Sequence, residues 1–354
     1  MRYSLATTIL TVSGALLQAQ DASCPAGAVD IDCAGAVDEQ AVLLLQVTTA
    51  ENMRGQLEKH VERADVVEKS SRKDAATRLL VPSKEIAPGV HMPMISIGTG
   101  GEKREQTYAI VRSWLSIGGV GLDVGAVYGY EQKVSRAMNS VGATRDEVFI
   151  TSKLPNCENV KAGVFQELDL LQTNYIDLLL LSHPEGNCTD AWLTLEDFHR
   201  QGILRSIGIS NFEVADMQEI LRTAQIKPAV NQILYNVFMH DDEVVNFAKA
   251  QNITIEAYSP LGRAGERGDV TRSEVVLSIA SHHNVSVYQV ALRWIVQQGH
   301  TLVFQSTSGE HQEENADVFN FILSDEEMAM LDGLNNPKLM KELNEKMNGT
   351  LPGI

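Results

Sequence analysis

Two side chains in the stretch GLDVGAVYGYEQ, residues 121–132, are of types that can move a proton: the carboxylate of Asp123 and, five residues on, the phenol of Tyr128. A lysine, Lys153, ends the apolar run VFITSK, and a histidine, His183, follows the apolar run IDLLLLS. Together these four types suit the reduction of a carbonyl. Hydride attack builds negative charge on the carbonyl oxygen, which needs a proton donor within hydrogen-bond reach. A free phenol, with a pKa of about 10, is a weak acid at neutral pH. A lysine ammonium beside it favours the phenolate and so improves the donor. A carboxylate keeps that ammonium charged and oriented away from water. An imidazole donates a hydrogen bond to the substrate oxygen and fixes its direction. A plainer role is open to each residue alone: Asp123 caps a helix, Tyr128 packs beside it, and a lone Lys or His is a cap or a surface group. Four mutually useful types at successive exits from apolar runs favour the chemical role.

Those exits imply the elements that position them. From about Leu80, runs rich in Val, Ile and Leu alternate with segments at helical spacing. The strand-like runs are MPMISIGTG, GGVGLDVG, EVFITSKLP, YIDLLLLSHP, SIGISNF, AVNQILYN, ITIEAYSPLG and HTLVFQSTS. Helical segments between and after them include EQTYAIVRSWLSIG, YEQKVSRAMNSVG, AGVFQELDLLQTN, AWLTLEDFHRQGIL, VADMQEILRTAQ, DDEVVNFAKAQN, VSVYQVALRWIVQQG and GEHQEENADVF. Eight strand-then-helix units predict an α/β fold, a (β/α)8 TIM barrel, here with a short N-terminal β-hairpin and a poorly structured N-terminal extension. A doubly wound open sheet is the competitor, but IGTGGEKRE is a poor match to its glycine-rich dinucleotide turn. A barrel places its chemistry on the loops past the carboxyl ends of the strands. Further polar residues stand there: Ser210 and Asn211, Asn231 and Gln232, Tyr258 and Ser259. Trp114, Trp192 and Trp294 fall on helical patterns and are expected in the core.

The chain has 354 residues and a net charge of −17. That average field repels a polyanionic duplex, so nucleic acid is not an expected partner. Residues 1–20 have the profile of a secretory signal peptide, which predicts the secretory pathway or an organelle, with the cytoplasm as the alternative. Residues 21–78 are a low-complexity, charged extension, residues 79–340 the barrel, and residues 341–354 a C-terminal tail. No membrane span is expected once the leader is removed, and the expected state is a monomer acting on a small-molecule carbonyl. Four cysteines, Cys24, Cys33, Cys157 and Cys188, allow three full pairings and show no zinc spacing. Cys157 and Cys188 fall on adjacent loops of the expected active-site face, either as incidental thiols or as a disulfide. Acceptor triplets for N-glycosylation occur at Asn187, Asn252, Asn284 and Asn348.

From Leu80 to Asn336 the chain resembles the aldo-keto reductase family. The resemblance rests on LDVGAVYG with its Asp-to-Tyr spacing, ITSKLP, LLLLSHP, IGISNF, VNQILYN, AYSPLG and the closing VFQST, EEN and FNFILS, in that order. It implies the eightfold barrel, a nicotinamide cofactor held without a dinucleotide fold, and reduction of aldehydes or ketones. The family's catalytic tetrad falls on Asp123, Tyr128, Lys153 and His183, of which Tyr128 and His183 also meet the substrate. Its nicotinamide-amide ligands fall on Ser210, Asn211 and Gln232, and its ring-stacking tyrosine on Tyr258. Ser259, Leu261, Gln305, Ser306, His311 and Asn315 fall on the rest of the cofactor path. Members preferring NADPH usually carry cations where this chain has Gln305 and His311, so the expected cofactor is NADP(H) by family, with NAD(H) also accommodated. Arg263, Arg267 or Arg272 in the following loop could replace the missing charge. Val124 for a usual threonine and HPE for His-Trp-Pro are smaller departures.

Three functions are consistent with these residues. A nicotinamide-dependent carbonyl reductase uses the whole tetrad. A low-turnover, cofactor-binding regulatory or scaffold protein would keep the barrel without the rate. A non-redox barrel enzyme such as a lyase would work without cofactor, and the lack of a metal-ligand cluster speaks against it.

Overall fold

The computed structural model describes residues 79–101, 104–262 and 270–338. The leader, the charged extension with Cys24 and Cys33, the loop residues Arg263 and Arg267, Asn348 and the C-terminal tail lie outside the described residues.

An antiparallel hairpin, β1 (Ser83–Ala87) and β2 (Val90–Pro93), leads directly into the barrel. The barrel strands are β3 (Ile95–Gly98), β4 (Gly121–Asp123), β5 (Phe149–Leu154), β6 (Ile176–Leu181), β7 (Leu204–Ser210), β8 (Val230–Leu234), β9 (Thr254–Tyr258) and β10 (Thr301–Phe304). They pair in parallel in chain order, and β10 closes the ring by pairing with both β9 and β3. The run MPMISIGTG is thus two strands: Met92 and Pro93 finish the hairpin, and Ile95 opens the barrel.

Every residue of β5 and β6 is buried, as expected of strands covered on both faces. Inside the barrel, Phe149, Leu178, Leu180, Ala229 and Val230 form a small apolar cluster with Ile86 and Met92 of the hairpin. The hairpin therefore closes the end at which the strands start, and the opposite end stays available for polar chemistry.

Helices cover the outside: α1 (Thr107–Ser116), α2 (Glu131–Val141), α3 (Val160–Leu171), α4 (Cys188–Arg200), α5 (Val214–Leu221), α6 (Asp242–Ala250), α7 (Glu274–His283), α8 (Val287–Gln297), α9 (Gly309–Ala316) and α10 (Asp325–Asp332). Eight of these match the sequence expectation; α7 and α10 are additional. The three tryptophans are fully buried, as expected. Each indole N–H is satisfied, Trp114 by Gly121 O at 3.0 Å, Trp192 by Ile226 O at 2.9 Å and Trp294 by Asp332 Oδ1 at 2.8 Å. No described helix is long and apolar enough to cross a membrane.

Candidate active site

Asp123 is the last residue of β4, and Tyr128 closes a 3-10 turn, Ala126–Tyr128, that follows it. Asp123 pairs in register with Thr151 on β5. Lys153 stands two residues further along β5 and so shares the face of Thr151. Its ammonium forms a buried ion pair with Asp123 and donates to Val124 O at 3.0 Å. The same nitrogen lies 5.3 Å from the centroid of the Tyr128 ring. Carboxylate, ammonium and phenol thus gather around the Lys153 nitrogen at the open end of the barrel. His183, two residues past β6, sits half-buried on the neighbouring loop.

A backbone feature shapes this group. A Cβ built on Gly100 would come 2.7 Å from Cζ of Tyr128, so the phenol packs on bare backbone and only glycine fits beneath it. In the sequence this glycine belonged to a run that read only as a weak nucleotide motif.

Burial alone would push the Lys153 pKa down, but contact with Asp123, aided by Tyr128 and Glu256, outweighs it and holds the ammonium well above its ordinary value. The lysine is a permanent cation here. Tyr128 departs from the sequence expectation. Burial raises its pKa more than Lys153, by charge and hydrogen bonding, lowers it, and Asp123 and Glu256 add to the rise. Lys153 still acts in the expected direction, yet the phenol stays firmly protonated near neutral pH. Burial also lowers the His183 pKa, against a smaller upward pull from Glu185, so the imidazole is neutral near pH 7.

Across the barrel, on β8, Gln232 completes the network. Its side-chain nitrogen donates to Asp123 Oδ2 at 2.8 Å and to Glu256 Oε2 on β9 at 2.7 Å. Both amide hydrogens are thereby used, which leaves the amide oxygen as its acceptor. At the ends of β7 and β9 a connected rim continues the site. Ser210 Oγ donates to Gln232 O at 2.8 Å, Asn211 Nδ2 donates to Ser182 O at 3.0 Å, and Tyr258 Oη donates to Asn211 Oδ1 at 2.9 Å. A nicotinamide carboxamide needs an acceptor for its NH2 and donors for its oxygen. Gln232 Oε1 is such an acceptor, whereas the Ser210 hydroxyl and Asn211 amide, whose hydrogens are engaged with Gln232 O, Ser182 O and Ser210 Oγ, would have to re-aim one of them to serve as donors. The half-buried Tyr258 ring adds a flat face.

The remaining residues expected on the cofactor path lie along β9 to α9. Ser259 and Leu261 occupy the turn after β9, where Gly262 N donates to Ser259 O at 3.0 Å. Gln305 is exposed past β10 and its amide donates to Gly100 O, linking this segment to the loop after β3 on which Tyr128 packs. Ser306 Oγ donates to Ser308 O at 3.2 Å, His311 is exposed in the first turn of α9, and Asn315 is buried on the same helix.

Cys157 and Cys188 form a disulfide, with Cα atoms 4.8 Å apart. It joins the loop after β5 to the first residue of α4, and Cys157 Sγ lies 3.7 Å from the backbone oxygen of His183. The loop that carries His183 is therefore stapled to the loop beyond Lys153.

Glu256 is the site residue that sequence reasoning missed; its signal was a carboxylate inside the otherwise apolar run ITIEAY. It is fully buried, and desolvation, then the Asp123 charge, raises its pKa. Above the ordinary value of 4.5 the unfolded chain sheds this proton while the folded one retains it, so stability falls as pH rises towards the raised pKa. Glu256→Gln keeps an acceptor for Gln232 and removes the ionisation. In denaturant titrations the variant should equal the wild type at about pH 4 and exceed it progressively towards neutrality, by up to about 1.4 kcal/mol per pH unit. Identical curves at both pH values would show that Glu256 does not hold the proton.

Comparison with known proteins bears on the same span. Residues 94–336 match the model of the aldo/keto reductase family. The chain belongs to this family. Among relatives of the reductase, the glyoxal reductase of Bacillus subtilis (strain 168) is 37% identical over 257 residues, which are 70% of this chain and 90% of the relative. The 9,11-endoperoxide prostaglandin H2 reductase of Trypanosoma cruzi (strain CL Brener) is 33% identical over 255 residues, covering 70% and 90% respectively. Among solved structures, an aldo-keto reductase from a Medee basin deep-sea metagenome library superposes with a TM-score of 0.66 at 30% identity, covering 69% of this chain and 92% of its own. The aldose reductase of Schistosoma japonicum gives 0.64 at 32% identity, covering 70% and 91%. The reductase is an oxidoreductase of carbonyl compounds that uses NAD(P)H, and its function as a bare scaffold is not favoured.

Proposed function

We propose that Tyr128 is the general acid of carbonyl reduction, with Lys153 and Asp123 tuning it and His183 orienting the substrate oxygen. The observation that carries this assignment is the placement of the Lys153 ammonium against the Asp123 carboxylate and beside the Tyr128 ring. A nicotinamide bound at Ser210, Asn211, Gln232 and Tyr258 would supply the hydride. The neutral His183 donates a hydrogen bond to the carbonyl oxygen and fixes it beside the phenol. As charge develops on that oxygen, Tyr128 passes its proton across, and Lys153 stabilises the phenolate left behind. Asp123 keeps Lys153 charged throughout. The substrates are aldehydes or ketones small enough to enter between the stapled loops.

NADP(H) is the favoured cofactor by a narrow margin, held along Ser259, Leu261, Gln305, Ser306, His311 and Asn315. An amide at 305 and an imidazole at 311 offer a 2′-phosphate no permanent charge, and a charge-assisted hydrogen bond contributes about 1.5–3 kcal/mol. Fluorescence-quenching titrations should therefore give similar affinities for NADPH and NADH in the wild type. Gln305→Lys should raise NADPH affinity about tenfold or more and leave NADH unchanged. A wild-type preference for NADPH of several hundredfold would refute this account of the phosphate site. The leader-like residues 1–20 and the Cys157–Cys188 disulfide support an oxidising compartment as the place of work, with the protein acting as a monomer.

A further inference from the structure

The two helices that the sequence pattern did not foretell meet at a cluster with no part in carbonyl reduction. His282 and His283 end α7, and Glu327 lies in the first turn of α10. His282 Nδ1 is 2.9 Å from Glu327 Oε1, and His283 Nε2 is 2.9 Å from Glu327 Oε2. All three donor atoms fall within 4.8 Å of one another. None of the site residues described above belongs to either helix.

We propose that His282, His283 and Glu327 form a binding site for a divalent zinc-type ion that fastens α10 to α7. Imidazole nitrogen suits zinc and its neighbours in the first transition series, whereas calcium and magnesium prefer all-oxygen shells. Two histidines and a carboxylate leave a fourth tetrahedral position for water. Zinc lies about 2.0–2.2 Å from such ligands, which sets tetrahedral neighbours roughly 3.3–3.5 Å apart. The cluster needs a few tenths of an ångström of opening between each imidazole and the carboxylate, and a closing of up to about 1.4 Å between the two ring nitrogens, which the exposed His282 side chain can supply by turning about its own bonds. The nitrogens that now donate to the Glu327 carboxylate are the ones an ion would take, so each neutral ring moves its hydrogen to the nitrogen facing away and binds without net proton loss.

Surrounding contacts hold the ligands in place, as partners around metal ligands do. Glu327 Oε2 accepts the Ser324 backbone N–H at 2.8 Å, within a capping box that fixes the carboxylate on α10. His283 packs against Phe321, with ring centroids 5.3 Å apart. The His282 side chain is 73% exposed, against 17% for His283 and 12% for Glu327, so an ion enters from the His282 side and finds two ligands already placed.

The test is calorimetric titration of chelator-treated full-length protein with zinc chloride, compared with His282→Ala and with Glu327→Gln. The wild type is expected to bind one equivalent more than either variant, or to bind that equivalent more tightly by over the roughly 10–100-fold that loss of an outer partner costs. Zinc should raise the wild-type Tm and leave that of His282→Ala unmoved, while magnesium should do neither. His282 is exposed, so its alanine variant should fold and reduce carbonyls at the wild-type rate, which separates this proposal from the assignment of the active site. Equal stoichiometry and affinity in the wild type and both variants, or no zinc binding by the wild type, would overturn it.

Discussion

Tyr128→Phe is expected to lower kcat for carbonyl reduction by about 10²–10⁴-fold, the usual contribution of a positioned general acid. The loss should appear in kcat rather than in cofactor affinity, because the phenol acts on charge that develops only during the reaction. Tm should change little: the hydroxyl is not among the groups that hold the barrel closed, and the ring that rests on Gly100 is retained. Steady-state rates with a panel of aldehydes, beside a cofactor titration of the same variant, check both halves. A variant with the parent's kcat would remove Tyr128 from the mechanism.

Lys153→Met is expected to damage both rate and stability. The rate falls because the phenolate loses its cation. Stability falls because two buried carboxylate side chains, Asp123 and Glu256, then share Gln232 with no positive charge beside them. Removing one partner of a buried pair costs about 3–5 kcal/mol. Much of that reflects the stranded charge, so adding Asp123→Asn should recover part of the stability and none of the activity. Urea titrations of the single and double variants at neutral pH measure the loss and its partial recovery. A single variant as stable as the wild type at neutral pH would show that the pair is not the buried charge described here.

Much of this was visible in the sequence for a definite reason. A lysine or aspartate at the end of a buried strand, such as Lys153 or Asp123, conflicts with its surroundings unless a partner is near, and the conflict itself is the signal. The alternation of apolar runs and helical segments gave the barrel because each unit buries the same two faces. Other features had no local signature. Gln232 meets Asp123 only because the ring closes and brings opposite strands within reach, which no window of sequence contains. Glu256 was overlooked because one carboxylate in an apolar run reads as an irregularity until its neighbours across the barrel are known. Helix α7 buries only Val276, Ile279 and Ala280, and α10 only Glu327 and Leu331; stripes this narrow do not stand out from loop sequence. The hairpin and β3 ran together in MPMISIGTG because the chain passes from one to the other at Met94 without a turn residue. Cysteine spacing allowed three pairings, and only the proximity of two loops selects Cys157 with Cys188.

The amide of Gln232 is a rigid plane, so its hydrogens and its oxygen cannot be re-aimed separately. Whatever settles on the oxygen steadies or tilts the hydrogens that reach Asp123 and Glu256, and a disturbance among those acids turns the oxygen in response. Coupling of this kind is reciprocal. The factor by which an occupant of that oxygen alters the proton affinity of the acids equals the factor by which their protonation alters the occupant's own affinity. Through one planar group, the wall of the barrel that waits for a guest and the wall that stores the proton are kept informed of each other.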